Sequence, residues 1–454
     1  MKALETAYKK FFNIRRDEWP KALGLALLFF LVIATFWVLK PIKRGLIIAY
    51  FGQDALQILG YALNGAQAEQ IGKVINMIVA YGVVIVFTLL ARRLDRALLI
   101  AVLAGGFGVL FIVFSFQMAE PTALVVWTFY VMGDIFTTVM VVSFWAFAND
   151  MNEGSEAERL YGVVGLGGVV GGFAGATLVS TLVEPLGRAA LLYVCTGLVA
   201  ALVVVAYAVD IYVRGDADRR PASSSGTAEA PVEKTSAVWE GARVVLKSRY
   251  LLAIMALVGL YEIVSNVADF QLATFVELHV PGDTEKDAFF GFVGQLTGIV
   301  SIGVQLLVTT YVLQKYGTGV ALFFLPIAIL VGSAGFMIVP TLVLITFVSV
   351  SDNGLNYSIN QSARETLYTP LSQDGKYKAK AFIDMFVQRA AKVLAVGVNL
   401  GLTVLVSTQV RWLSLLSVVL ISAWLWIIYY LGREFSKKKE SSLIDQLAVS
   451  GSAP

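Results

Sequence analysis

Apolar residues in this chain come in runs of about 20 to 30, and that length decides the architecture before any other feature is weighed. A hydrocarbon core of ~30 Å needs about 20 helical residues to cross it, whereas the strands of outer-membrane barrels need only ~10. Lipid offers the backbone no hydrogen-bond partner, and a helix satisfies its own polar groups within one segment. Composition agrees: 57% of residues are hydrophobic and 15% charged, with mean hydropathy +0.75, against about 25% charged in ordinary soluble domains. The expected fold class is an all-α membrane protein.

Twelve spans are expected, at approximately 22–50, 68–91, 97–117, 121–149, 158–183, 188–213, 249–278, 287–314, 318–339, 341–363, 377–407 and 412–432. The first follows a charged, amphipathic stretch (Lys9, Lys10, Arg15, Arg16, Asp17, Glu18) and has no small-residue cleavage site, so it is expected to stay in the mature protein. Asp216 to Ser236 is polar, holds Pro221-Ala-Ser-Ser-Ser-Gly and lacks apolar periodicity, and reads as a disordered linker. The expected domains are a cytoplasmic N-terminal segment 1–21, a six-helix half 22–213, a linker 214–248, a second six-helix half 249–432 and a tail 433–454.

Basic residues in the short loops set orientation. Counted from a cytoplasmic N-terminus, one side carries Arg92, Arg93, Arg96, Arg219, Arg220, Lys315, Lys376, Lys378, Arg433, Lys437, Lys438 and Lys439. The other offers mainly Arg188, Lys286 and Arg411. The positive-inside bias puts both termini and the linker in the cytoplasm.

Ionisable groups at membrane depth cost roughly 2.5 to 3.5 kcal/mol each on insertion scales, so they usually face a polar cavity and mark a substrate or ion path. Lys43, Asp134, Asp269 and Lys392 each interrupt an apolar span. The halves echo each other, with Lys43 and Asp269 at similar depths in the first and seventh spans and Asp134 and Asp352 in the fourth and tenth. Parallel six-helix repeats are the layout of major facilitator transporters.

Lys40-Pro41-Ile-Lys43-Arg44 places three cations beside a helix-breaking proline, where a bend is expected. The cluster suits an anion such as phosphate; the plainer reading is that Lys40 or Arg44 snorkels to an interface. Lys73 in the second span is a further candidate cation. Asp134 and Asp269, the latter in a helix that also holds Glu262, could carry a proton or cation, release a substrate-bound lysine, or be static counter-ions.

The richest polar stretch joins the tenth and eleventh spans: Asp352, Asn353, Asn356, Tyr357, Asn360, Gln361, Arg364 and Glu365, then Lys376, Lys378, Lys380, Asp384, Arg389 and Lys392. So many amides and charges cannot face lipid, and must face a cavity or the cytoplasm. Arg389 and Lys392 are neighbours on one helical face. In the fifth span Gly168 with Gly172, and Gly171 with Gly175, make small-xxx-small spacings that allow close helix packing. A phosphate-cradling loop is the sharper alternative, without the preceding strand that it needs.

Enzyme chemistry is poorly provided for. Cys195 is the only cysteine and lies in an apolar run, and His279 is the only histidine, so neither a zinc site nor a Cys-His nucleophile pair of the usual kind is available. No cofactor, no metal and no nucleic-acid partner is expected.

Phe144-Trp-Ala-Phe-Ala-Asn149-Asp150 followed by Glu156-Ala-Glu-Arg159-Leu-Tyr-Gly-Val-Val-Gly-Leu-Gly, and Asn356-Tyr-Ser to Arg364-Glu-Thr-Leu-Tyr-Thr-Pro with Lys376-Tyr-Lys-Ala-Lys-Ala-Phe-Ile-Asp384, resemble stretches of the nucleotide translocases. These are the ATP/ADP exchangers of intracellular bacteria and plastids. The resemblance implies a major-facilitator-type fold and exchange of nucleotides. By local context the family's intramembrane charges fall on Lys43, Asp134, Asp269 and Lys392. Two departures stand out: Arg44 where the family usually has an acid, and Asp for Glu at the two acidic positions, which implies a more cationic and wider site.

The expectation is therefore a secondary transporter working by alternating access, functional as a monomer in the lipid bilayer of a bacterial inner membrane. Lys43, Lys392 and Arg364 or Arg389 would hold the phosphates of a small anionic solute, a nucleotide by the resemblance, while Asp134 and Asp269 pair with the cations or couple protons. Asn356, Tyr357 and Asn360 would contact base or sugar. The chain is rich in Ala, Gly and Val, unlike many chains of obligate intracellular bacteria, and a free-living cell has little need to import ATP. Another phosphorylated solute stays open, as do proton-coupled export or lipid flipping on the same fold, and a non-transporting scaffold.

Overall fold

The computed structural model describes residues 15, 18–152, 154–217, 235–371, 373–405 and 409–450. Lys9, Lys10, Arg16 and Asp17, and residues 218–234 of the expected linker with Arg219 and Arg220, lie outside the described residues. The chain begins with α1 (Trp19–Gln53), a ribbon of β1 (Leu56–Ile58) and β2 (Tyr61–Leu63), then α2 (Gly65–Ala91), α3 (Arg96–Gln117), α4 (Ala123–Met151) and α5 (Gly154–Ala217). It continues with α6 (Thr235–Lys247), α7 (Arg249–His279), α8 (Asp283–Gly303), α9 (Thr310–Lys315), α10 (Gly317–Ala321), α11 (Phe324–Ile338) and α12 (Leu342–Leu355). Last come α13 (Gln361–Thr366), α14 (Gln373–Ala381), α15 (Gln388–Leu400) and α16 (Leu413–Ser450). Wider π-helical turns at Val304–Thr309, Asn356–Asn360 and Phe382–Val387 carry α8 into α9, α12 into α13 and α14 into α15.

Among the described residues, nine stretches are long and apolar enough to cross a membrane. One of them, Arg159–Val213, would be roughly 80 Å long as a single rod. The rod is broken at Gly187, whose φ of 78° is a conformation glycine adopts without strain, two residues after Pro185. Helical backbone also runs through the polar segments expected as the tenth and eleventh spans, where Asp352, Arg364, Lys392 and the surrounding amides lower the hydropathy. Pro41, where a bend is expected, lies inside the continuous helix α1.

The all-α expectation takes one correction, the ribbon after α1. Leu56 pairs with Leu63 and Ile58 with Tyr61 across Leu59-Gly60, whose φ values of 50° and 84° are those of a primed two-residue turn. Asn64 then starts α2 through a reciprocal capping box with Gln67, both hydrogen bonds being 3.0 Å.

The chain forms two compact units, Met1–Thr227 with Val280–Gly298, and Ala228–His279 with Ile299–Pro454. Most of α8, as far as Gly298, thus groups with the earlier helices, whereas the sequence reading places it in the second half. In the first unit α1 is the central helix, with Leu25, Leu28, Val38, Leu39, Ile42 and Ile47 all inaccessible. Its tightest neighbour is α5. Gly167, Gly171 and Gly175, four residues apart, lie against the backbone oxygens of Ala26, Phe30 and Ala34, also four apart. A methyl at Gly171 would sit 2.5 Å from the Phe30 oxygen, so only glycine permits this approach. Gly168 and Gly172 instead receive the rings of Phe29 and Trp37. Helix packing, rather than a phosphate loop, accounts for these five glycines.

Large apolar side chains such as Ile78, Ile85, Phe116, Leu307, Val343 and Trp426 are exposed. Apolar surface on this scale is untenable in water and ordinary against lipid.

Candidate functional site

In the first unit every residue of α1 from Pro41 to Ala49 is buried, including two of its cations, Lys43 and Arg44. Lys43 forms an ion pair with Asp134 of α4, its Nζ lying 4.5 Å from the Tyr130 ring centroid one turn earlier. Asn76 of α2 donates to the second Asp134 oxygen. Gly133 makes the room: a methyl there would meet the Lys43 side chain at 2.9 Å. The Lys43 side chain is only 7% exposed, but that of Asp134 is 26% exposed. The carboxylate is therefore the more accessible end of the pair.

The other cations of the cluster divide. Arg44 is neutralised by the buried Glu69 of α2 at 2.9 Å and stacks 4.5 Å from the Phe290 ring. Glu69 thus offsets the charge of Arg44 from a neighbouring helix. Lys40 is half-buried, 4.5 Å from Trp37 and 5.8 Å from Phe36. Lys73 is half-buried in α2, three residues before Asn76. Against Gly45, the residue after Arg44, Arg188 holds Asp287 through two hydrogen bonds of 2.6 and 3.1 Å and reaches the Asp283 carbonyl at 2.9 Å.

In the second unit Lys392 of α15 lies 3.6 Å from Glu262 of α7, with side chains 50% and 9% exposed. The carboxylate facing this lysine is thus Glu262, two helical turns before Asp269. Asp269 is half-buried and within electrostatic reach of Tyr357. Asp352 is buried and accepts a hydrogen bond from Ser265 of α7 at 2.5 Å.

Asn356, Tyr357 and Asn360 occupy a π-helical turn, a local widening of the helix frequent at functional sites. Asn360 donates to Asn356 at 2.9 Å, and the Tyr357 ring is 58% exposed. Arg364 is buried, donates to Gln361 at 3.2 Å and acts electrostatically on Glu262 and Asp384. Arg389 is half-buried beside the exposed Lys392.

Sequence reasoning named Glu262 only in passing and missed Asn76, Tyr130 and Glu69. Asn76 carried a usable signal, an amide one turn from a lysine within a span. Glu69 falls at the start of the expected span 68–91, yet it is only 2% exposed.

Membrane-length helices with opposed charges set into their interior are the build of a membrane solute transporter. The chain belongs to the TLC ATP/ADP transporter family, whose signature it matches over residues 122–346 and 337–435. It is a member of a transporter family and not an enzyme. The chloroplastic ADP,ATP carrier protein 1 of Arabidopsis thaliana is 26% identical over 84% of this chain and 68% of its own length. The ADP,ATP carrier protein 1 of Chlamydia trachomatis serovar D is 25% identical over 98% of this chain and 96% of its own. Among solved structures, the nucleoside transporter NupG aligns with TM-score 0.62 and 13% identity over 91% of this chain and 99% of that one. A bacterial homologue of the lysosomal transporter Spinster aligns with TM-score 0.58, also at 13%, over 94% and 99%. At that identity the likeness is one of fold, the major facilitator type.

Proposed function

We propose that this protein exchanges ATP, ADP or a closely related phosphorylated nucleotide across a bacterial inner membrane by alternating access. The relatives named as ADP,ATP carriers support the substrate class, and the basic loops support cytoplasmic termini. The nine apolar stretches are consistent with twelve spans in two six-helix halves: Gly187 divides one, and the polar helical segments through Asp352 and Lys392 add two.

The observation that carries the reading is the Lys43–Asp134 pair. A lysine held at membrane depth by a partly accessible carboxylate is loaded for replacement by a stronger anion. A phosphate oxygen competes for the ammonium, and Asn76 then holds the displaced Asp134. Lys392 and Glu262 offer the same exchange in the second unit. Arg364 and Arg389 add phosphate-binding charge, Asp269 a further carboxylate, and the exposed Tyr357 with Asn356 and Asn360 suits a base or sugar. Lys40, Arg44 and Lys73 set the local potential rather than grip the substrate. The protein acts as a monomer in the bilayer.

The test is thermal unfolding of the detergent-purified protein with ATP, ADP, inorganic phosphate and sugar phosphates, repeated with Lys43→Ala and Lys392→Ala. A ligand at 100 times its dissociation constant stabilises by about 2.7 kcal/mol. Stabilisation by nucleotides that is lost in both variants is expected. Stabilisation by sugar phosphates alone would overturn the nucleotide assignment.

A further inference from the structure

A second polar feature lies away from the charge pairs, in a groove of about 620 Å³ in the second unit. Its walls include Tyr316, Val320 and Phe323 on one side and Tyr429, Arg433 and Ser436 of α16 on the other. The helices meet at two glycines, where a methyl on Gly319 would sit 3.3 Å from the Gly432 Cα. Because neither carries a side chain, the space beside them is left open. The volume falls within the ~300–1,000 Å³ typical of ligand sites.

Arg433, Tyr316 and Tyr429 line the groove itself. Lys315, the residue before the lining Tyr316, donates to the Tyr311 hydroxyl at 2.7 Å and lies 5.1 and 5.3 Å from the Tyr311 and Tyr316 ring centroids. Arg433 lies 5.8 Å from the Tyr429 ring. The neighbouring carboxylate, Glu434, is engaged by Lys437 at 2.9 Å, and among the described residues no salt bridge is found at Lys315 or Arg433. Tyr311, Tyr316, Tyr429, Lys315 and Arg433 are all exposed.

Lys315 and Gly317 lie at the junction of two membrane-length stretches, and Arg433 lies near the end of a third. Tyrosine with lysine or arginine at a span's end marks headgroup depth, while Val320, Phe323 and the buried Ile428 continue the groove into the apolar zone. An occupant must therefore present an anion at the rim and hydrocarbon below it, and basic pockets between membrane helices bind acidic lipid headgroups.

We infer that this groove is a binding site for one acidic phospholipid, its headgroup phosphate between Lys315 and Arg433 and an acyl chain along Val320 and Phe323. Native mass spectrometry of the full chain in neutral detergent, mixed with phosphatidylglycerol or phosphatidylcholine of identical acyl chains, reads this directly. With two cations engaged, phosphatidylglycerol should be retained roughly 30-fold more than phosphatidylcholine. Lys315→Gln with Arg433→Gln should bring the two lipids to parity, whereas Lys315→Arg with Arg433→Lys should keep the preference. Lys437→Gln with Lys438→Gln, an equal loss of charge outside the groove, should also keep it.

Parity in the native protein would overturn the site. So would a preference that survives removal of both cations, or one lost equally with Lys437 and Lys438, which would make the attraction a diffuse surface effect. Displacement of the lipid by an equal concentration of inorganic phosphate would also overturn it, assigning the rim to a free anion.

Discussion

The Arg188–Asp287 pair yields the sharpest stability prediction, because its geometry is complete. The guanidinium binds the carboxylate through two nearly parallel hydrogen bonds of 2.6 and 3.1 Å, and the side chains are 9% and 0% exposed. At a charge separation of ~4 Å and an effective dielectric of about 20, the attraction is about 4 kcal/mol. Little of that appears as net stability, since burying both ions is costly; removing one partner, however, strands the other and costs about 3–5 kcal/mol. Asp287→Asn and Arg188→Met should each lose that much in equilibrium unfolding by sodium dodecyl sulfate in mixed micelles. The double variant Arg188→Met with Asp287→Leu should recover most of it. Gly45→Ala should behave like the single variants, since its methyl would overlap an Asp287 oxygen and sit 3.0 Å from the Asp287 backbone nitrogen. A loss below ~1 kcal/mol for Asp287→Asn, or a double variant as unstable as the two singles added, would refute the reasoning.

Other consequences follow from single contacts. Gly171→Leu places a side chain against the Phe30 carbonyl and should destabilise the fold by about 1–3 kcal/mol or prevent its assembly, while Gly165→Leu, where nothing lies within 4 Å, should not; fluorescence-detected size exclusion reads the difference. Arg159 hydrogen-bonds Glu18 at 2.5 and 3.3 Å, holding this carboxyl at the membrane edge below its ordinary value of 4.5. The stabilisation it gives is complete above pH 4.5 and is lost as pH falls through the depressed folded value. The melting-temperature difference between native protein and Glu18→Gln should thus be largest near neutrality and vanish in acid. Asp134→Asn leaves Lys43 buried beside a neutral amide and should weaken exchange of one nucleotide for another more than it weakens nucleotide binding, measured by uptake and by thermal shift.

Much of this was legible in the sequence because lipid imposes coarse rules. Run length locates the nine stretches among the described residues that are long and apolar enough to cross a membrane, and Lys43 and Asp134 stand out because lipid tolerates so few charges. What was lost is what depends on neighbours brought together by packing. Arg44 reads as excess positive charge until α2 supplies Glu69. The partner of Lys392 is Glu262 rather than Asp269, because both acids lie on α7 and only helix packing chooses between them. Arg188, counted among the few basic residues of an outer loop, is a buried counter-ion. The ribbon at Leu59-Gly60 went unseen because its strands are three residues long, too short for any alternation to register.

The central claim is exchange of phosphorylated nucleotides through Lys43, and counterflow tests it most directly. Purified protein in liposomes is given labelled ATP outside, with ADP inside or no nucleotide inside, for the native chain and Lys43→Ala. The account predicts uptake only when ADP is inside, and none by Lys43→Ala even though that variant reconstitutes normally. Uptake that ignores internal nucleotide, or that survives Lys43→Ala, would contradict it.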